Sequence, residues 1–311
     1  MVWSWRLAGF FRASPRNPPP PVHPPADRRS TTARTTVKIA LGLVALKGLT
    51  YAFTESEGVL GSGLDSLFDV VASLLVLWAV IAAERPADAE HPWGHGKAEG
   101  LASLFQSVFI LLSGLGFLVH TMDRFFHADP EMTRQGWGIA TMVISSGVTL
   151  WLVRNLQSAA RDTGSPALHA DSKHYTTDVL MNVAVIIGLA LSWLLDGERW
   201  PDLAVGVGIA LVILNTAREL FLESLEGLMD RSLKPREAAS ILHTVTGFAP
   251  RVAGFHDLRS RRSGADVFLE LHLDLDRGLS FVEAHDIAEE VSDALEKAIP
   301  NSQVTVHTDP L

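Results

Sequence analysis

Cysteine is absent from this 311-residue chain. Disulfides, thiolate metal ligands and cysteine nucleophiles are therefore excluded together, and any metal must be held by His, Asp or Glu. An HExxH pattern is missing too, so the paired histidines and general base of one class of zinc hydrolases have no counterpart. Basic charge is in deficit, 26 Lys and Arg against 35 Asp and Glu for a formal net charge of −9, and nucleic-acid binding is not suggested. The N-terminal region lacks the apolar core of about 7–15 residues and the small-residue cleavage site of a signal peptide, although residues 2–11 form a short apolar and aromatic patch. Its Arg-rich, acid-poor composition is shared with organellar transit peptides, a reading set aside in favour of a basic cytosolic flank.

Charge is scarcest where the chain is most apolar. Hydrophobic residues make up 47% of the sequence, the mean hydropathy is +0.20, and the apolar residues are gathered in blocks, the pattern of an integral membrane protein. Blocks near the roughly 17–25 residues that cross a bilayer lie at 37–53, 59–83, 101–119, 136–153, 179–195 and 203–221. Six spans return the chain to its starting side. The second, third and fifth are expected to run on as helix beyond these limits, because 97–102 and 169–177 contain no Gly-Pro break.

Loop charge sets the orientation. Arg6, Arg12, Arg16, Arg28, Arg29 and Arg34 stand before the first span against Asp27 alone, and the second and fourth connectors carry Arg85, Lys97, Arg154, Arg161 and Lys173. The first connector carries Glu55 and Glu57 without a base, while Arg124 and Arg134 in the third weaken the contrast slightly. Positive loops stay inside, which places both termini in the cytoplasm, and the expected location is the cell (inner) membrane. Residues 1–34, with prolines at 18–21, 24 and 25, read as an extended, disordered cytosolic tail; 35–230 form a six-helix transmembrane domain.

Beyond Asp230 the pattern becomes that of a soluble domain, 231–311. A helix is expected over 235–246, and strands over 252–262 and 266–276 joined at Ser263-Gly264. In the second strand Val267, Leu269, Leu271, Leu273 and Leu275 alternate with Phe268, Glu270, His272 and Asp274, giving one apolar face. Ser280 with Glu283 fits a capping box opening a helix to about 299, and 303–307 supply a last strand. The order α-β-β-α-β is a small α+β domain, of a size that often needs a metal or a partner.

Three constellations carry chemistry. Asp65 and Asp69 interrupt an otherwise uncharged run from 59 to 83, and His174 and Asp178 repeat the i, i+4 spacing. Such a charge at the centre of a membrane helix costs at least ~2.5 kcal/mol by insertion scales and marks an ion path, a proton relay or a bound cation. Residues four apart share a helix face, so two helices can present four ligands, the number zinc favours. The plainer alternative is that these acids pair with a base such as Lys47 or line a hydrated cavity. Asp88, His91 and His95 form a second group, in a turn shaped by Pro92 and Gly94; its histidines could instead bond to backbone. A third comprises His256, His272, His285, His307 and Asp309 in the soluble domain. Any one of these histidines alone reads as surface or satisfied core, but together they admit a binuclear site with one bridging histidine. His23, His120, His127, His169 and His243 have no such company.

Four segments, at 64–69 (LDSLFD), 94–99 (GHGKAE), 170–178 (ADSKHYTTD) and 256–259 (HDLR), resemble the cation diffusion facilitator family, more closely its bacterial zinc and ferrous-iron efflux branch. The resemblance runs from about residue 35 to the end of the chain. It implies an all-α six-helix transmembrane bundle plus a small α+β metallochaperone-like (ferredoxin-like) cytosolic domain, a homodimer, and proton-coupled export of a divalent metal. It assigns Asp65, Asp69, His174 and Asp178 to the transport site, and Asp88, His91 and His95 to a loop site. His256, His272, His285, His307 and Asp309 become a cytosolic binuclear site with His285 bridging, and Lys97 with Asp230 a charge pair joining the membrane and soluble parts. Lys173 departs from the apolar residue that relatives often place beside the transport histidine, which puts a hydrophobic gate there in doubt.

The expected function is thus a secondary transporter, not an enzyme, embedded in the lipid bilayer as a homodimer and exchanging protons for a divalent cation. Zn2+ is the leading substrate, and also a structural or regulatory ion at the cytosolic site; iron(II), cobalt and cadmium follow from the affinity order, and carboxylates admit manganese. Histidine titrates near neutral pH and is the natural coupling residue. Two rivals stand beside it: a membrane metallohydrolase, which needs an open coordination position and a general base, and a sensor that binds metal without moving it.

Overall fold

The computed structural model of the protein describes residues 27–54, 57–126, 135–195, 198 and 200–311. The tail through residue 26, Glu55, His127, Arg134 and most of the fifth connector lie outside these described residues. Six long helices follow in order: α1 Asp27–Thr54, α2 Glu57–Ala83, α3 Lys97–Phe126, α4 Gln135–Thr163, α5 Pro166–Leu194 and α6 Trp200–Leu228. Five segments among the described residues, 28–53, 65–83, 97–126, 166–192 and 200–228, are long and apolar enough to cross a bilayer. The remaining helix, α4, equals the others with 29 residues, about 43 Å of rise, and carries Arg154, Arg161 and Asp162 in its second half.

The extensions expected of the third and fifth spans are present, whereas α2 ends at Ala83, the limit of its apolar block. α3 starts at Lys97, and α5 at Pro166 behind an N-cap, Ser165, whose hydroxyl accepts from the Leu168 N–H at 3.2 Å. A difference appears at the first helix. Residues 27–34, assigned to the tail from their charge, are helical, and Arg29, Ser30, Thr32 and Ala33 are buried. The cause lies far along the sequence: Arg29 Nη1 donates to Glu99 Oε1 of α3 at 3.0 Å, and the Ser165 hydroxyl reaches the other carboxylate oxygen. One buried acid thereby ties the starts of α1, α3 and α5 together.

Two apolar cores hold the bundle. Val76, Ala79 and Val80 of α2 pack with Leu152 and Leu156 of α4 and Leu168 and Tyr175 of α5; Ile110 of α3 packs with Ile213, Ala217 and Leu220 of α6 and Ala170 of α5. Within lipid, association depends on close packing more than on the hydrophobic effect, so small residues gather at the seams. α3 and α6 illustrate this, because a Cβ on Gly206 would lie 2.5 Å from the Thr121 side chain and one on Gly114 2.9 Å from Ile213.

The C-terminal domain comprises α7 Pro235–Thr246, β1 Gly254–Ser263, β2 Asp266–Leu275, α8 Phe281–Ala298 and β3 Ser302–Pro310. β2 is central, antiparallel to β1 and parallel to β3 across the α8 crossover. The five odd-numbered aliphatics of β2 are at most 2% exposed and face Ile241 and Val245 of α7 and Ile287, Val291 and Leu295 of α8. Both helices therefore cover one face. The other face holds His272 and Asp274, and also Phe268, whose burial at 7% exposure is not what the alternation alone suggests. Trp93, from the connector before α3, meets Phe268 edge-on at 5.3 Å, and the Arg261 guanidinium lies 4.7 Å from both rings.

Candidate metal centres

α2 and α5 supply the first centre. His174 is 4% exposed, and its Nε2 lies 3.1 Å from Asp69 Oδ1 and 3.9 Å from Asp178 Oδ2. One donor atom from each of the three residues falls within 4.8 Å of the other two, across two helices that cross a membrane. Behind this group Tyr175 hydrogen-bonds Ser73 of α2 at 2.9 Å, which fixes the face that α5 turns toward α2. Asp65, the expected fourth ligand, is not gathered with them; it sits one turn earlier on α2 and is exposed. Lys47, the base weighed above as a partner for these acids, donates to Ser66 Oγ at 2.7 Å and also interacts electrostatically with Asp69, Asp178 and Asp65. Two buried residues beside the centre escaped the sequence reading. Asp171 of α5 is fully buried, and one of its carboxylate oxygens accepts from Gln106 of α3 at 3.4 Å.

The second centre is the turn before α3. Asp88 Oδ1 accepts the backbone N–H groups of Glu90 (2.9 Å) and His91 (2.7 Å), and its two oxygens lie 3.4 Å from His91 Nδ1 and 3.5 Å from His95 Nε2. Gly94, at φ 78°, turns the chain so that both imidazoles face Asp88. The His91 N–H, aided by that of Glu90 and by the two imidazoles, holds the Asp88 carboxyl below the usual carboxylate range. It is an anionic ligand throughout the neutral range.

Strand register builds the third. β1 pairs with β2 at His256↔His272, and β2 with β3 at His272↔His307 and Asp274↔Asp309, so the three histidines form a row across the open face with two aspartates beside it. Ring centroids are 5.1 Å apart for His256 and His272 and 4.6 Å for His272 and His307. Asp309 is the hub, 2.8 Å from His272 Nδ1 and 3.2 Å from both His256 Nε2 and His307 Nε2. The His272 hydrogen bond, then the neighbouring histidines, hold its carboxyl low. Asp274, overlooked in the sequence, lies 3.1 Å from His256 Nδ1. The facing β1 residue is Gly254, where a Cβ would stand 2.8 Å from an Asp274 oxygen. The alternation of β2 already put Asp274 on the face of His272, and that signal could have found it.

His285 does not join this row. It lies on α8, against the opposite face of the sheet, where it stacks on Phe281 and is 3.9 Å from Glu289. The expected charge pair is formed: Lys97 Nζ is 3.1 Å from Asp230 Oδ1 and also donates to the Leu228 carbonyl at the end of α6 (3.2 Å). Lys173 is half-buried on α5.

Residues 35–229 match the family model described as the cation efflux transmembrane domain, and 233–311 match that of the cation efflux protein cytoplasmic domain. The chain belongs to the cation efflux family. Members of this family are transporters, not enzymes, so the metallohydrolase rival falls. The cation-efflux pump FieF of Salmonella arizonae is 39% identical over 281 residues, 90% of this chain and 92% of its own. That of Salmonella paratyphi A is 38% identical over the same shares. Among solved structures, a chain of the candidate zinc transporter CzrB is 34% identical and covers 26% of this chain and 99% of its own, with a TM-score of 0.25. The metal-bound C-terminal domain of the CzcD transporter from Thermotoga maritima is 26% identical, covers 25% of this chain and 94% of its own, and has a TM-score of 0.24. This cation efflux protein is accordingly membrane-embedded and handles divalent metal.

Proposed function

We propose that this chain exports zinc from the cytoplasm in exchange for protons, as a homodimer in the inner membrane with both termini in the cytoplasm, and that Asp69, His174 and Asp178 carry the ion. The observation that supports it best is the meeting of one imidazole and two carboxylates between two membrane-crossing helices. Two carboxylates and an imidazole neutralise a dication, and Asp65, one turn away on α2, joins as fourth ligand when the helices shift. Protonation of the same atoms releases the ion, because a proton and a metal compete for the same lone pairs. α2 and α5 each contribute part of the site, so a rocking of one against the other remakes it on the far side of the membrane.

The nitrogen ligand favours zinc over manganese, while iron(II), cobalt and cadmium remain substrates of the same geometry. The loop centre and the histidine row hold zinc without moving it. The metal that they bind stiffens the junction between the two domains and the dimer that the C-terminal domains form, around the Lys97–Asp230 pair. The test is a flux series in reconstituted vesicles with zinc, cadmium, cobalt, iron(II) and manganese. Asp69→Ala is expected to abolish every flux, and His174→Asp to shift preference from zinc toward manganese. Zinc selectivity unchanged in His174→Asp would refute the role given to the histidine.

A further inference from the structure

His174 has two ring nitrogens, and the transport reading uses one. Nε2 faces Asp69 and Asp178, whereas Nδ1 is buried without a hydrogen-bond partner among the described residues. A second buried atom without such a partner is Asp171 Oδ2, on the same helix three residues earlier. That spacing puts the two side chains on one face of α5, with Cβ atoms roughly 5–6 Å apart. Asp171 is fully buried, and its other oxygen is anchored by Gln106 Nε2 at 3.4 Å. A ring N–H and a carboxylate oxygen are complementary, and leaving either buried and unmet is costly.

We propose that Asp171, held by Gln106, is the positioning residue of the transport site: its free oxygen binds the Nδ1 proton of His174 through one buried water. This inference rests on the reading of Asp69, His174 and Asp178 as the ion site. With the proton fixed on Nδ1, the tautomer is fixed and the Nε2 lone pair is aimed at the ion between the two carboxylates. A carboxylate behind a metal-binding imidazole also raises its basicity as a ligand. Gln106 brings α3 into the arrangement, so α3, α5 and α2 meet at one imidazole. Asp69 and Asp178 cannot serve in this role, since both lie on the Nε2 side.

The test compares zinc uptake by vesicles containing wild-type chain, Asp171→Leu, Asp171→Asn, Gln106→Leu and His174→Ala, with melting temperature measured on each. Outer-shell losses typically lower metal affinity about 10–100-fold. Asp171→Leu is therefore expected to raise the KM for zinc by about that factor. Asn, with one acceptor for two donors, should fall between Leu and wild type, and Gln106→Leu should give a smaller rise. If His174→Ala abolishes uptake while both Asp171 variants keep the wild-type KM, the positioning role is overturned and the ion site stands. If His174→Ala itself transports normally, the ion site is refuted and this inference with it. Should Asp171→Leu fail to fold, 15N-histidine spectra of the zinc-loaded wild-type chain decide. A proton on Nδ1 of His174 is expected, and metal on Nδ1 would overturn the proposal.

Discussion

Gly96→Ala should separate the two domains. Gly96 precedes α3 and lies against the tip of the β1–β2 hairpin, where a Cβ would stand 2.1 Å from the Ser263 carbonyl oxygen and 2.7 Å from its carbon. The obstacle is backbone, so no side chain can swing aside, and the two segments must part by more than about 1 Å to reach ordinary contact. Overpacking of this kind costs ~1–3 kcal/mol. The shift also loosens the Trp93–Phe268 edge contact, worth ~0.5–1.5 kcal/mol, and the Arg261 cation–π contacts, worth ~0.5–2 kcal/mol. A combined loss of about 2–6.5 kcal/mol corresponds to at least about a 30-fold rise in the population of the undocked junction. Amide hydrogen exchange of the full chain in lipid reads this directly at 93–97 and 261–268. The control is Gly42→Ala, on α1 with nothing within 4 Å of its added Cβ, which should leave exchange at the junction unchanged. Exchange in Gly96→Ala within threefold of wild type would refute the idea that this close approach holds the domains together.

Arg29→Met should leave Glu99 buried and stripped of its cation; breaking such a pair costs ~3–5 kcal/mol, visible as a lower melting temperature of the detergent-solubilised chain. His272→Ala should reduce the zinc bound per chain, measured by equilibrium dialysis with elemental analysis, because it removes the middle of the histidine row and the shortest contact to Asp309. The depressed Asp309 carboxyl fixes a sign in pH: its contribution to stability is complete above the ordinary value of 3.8 and is lost as pH falls through the lower folded value. Asp309→Asn should therefore flatten the acid limb of stability plotted against pH.

What could be read from the sequence was governed by local periodicity. Asp65/Asp69 and His174/Asp178 stood out because a helix puts i and i+4 on one face, and β2 declared its apolar face because a strand repeats every second residue. Pairing between distant segments follows no such period. The register that places His256, His272 and His307 in one row depends on hydrogen bonds between three strands, and it separates them from His285, which α8 carries to the other face. Asp65 shared a spacing with Asp69, yet it is not gathered with the other three. Arg29 looked like one more tail arginine because its partner, Glu99, is 70 residues away. Phe268 looked misplaced on a polar face because the side chain that covers it comes from the connector before α3.

The proposed exchange of metal for protons takes place at Asp69, His174 and Asp178. It is tested most directly by following zinc entry and proton exit together in sealed vesicles, with a zinc indicator and a pH indicator read on the same sample. Wild-type protein should carry protons out as zinc enters, with zinc influx accelerated when the vesicle interior is made acidic, and Asp69→Ala should abolish both signals. Zinc influx indifferent to the pH gradient, or paired fluxes that persist in Asp69→Ala, would contradict the account.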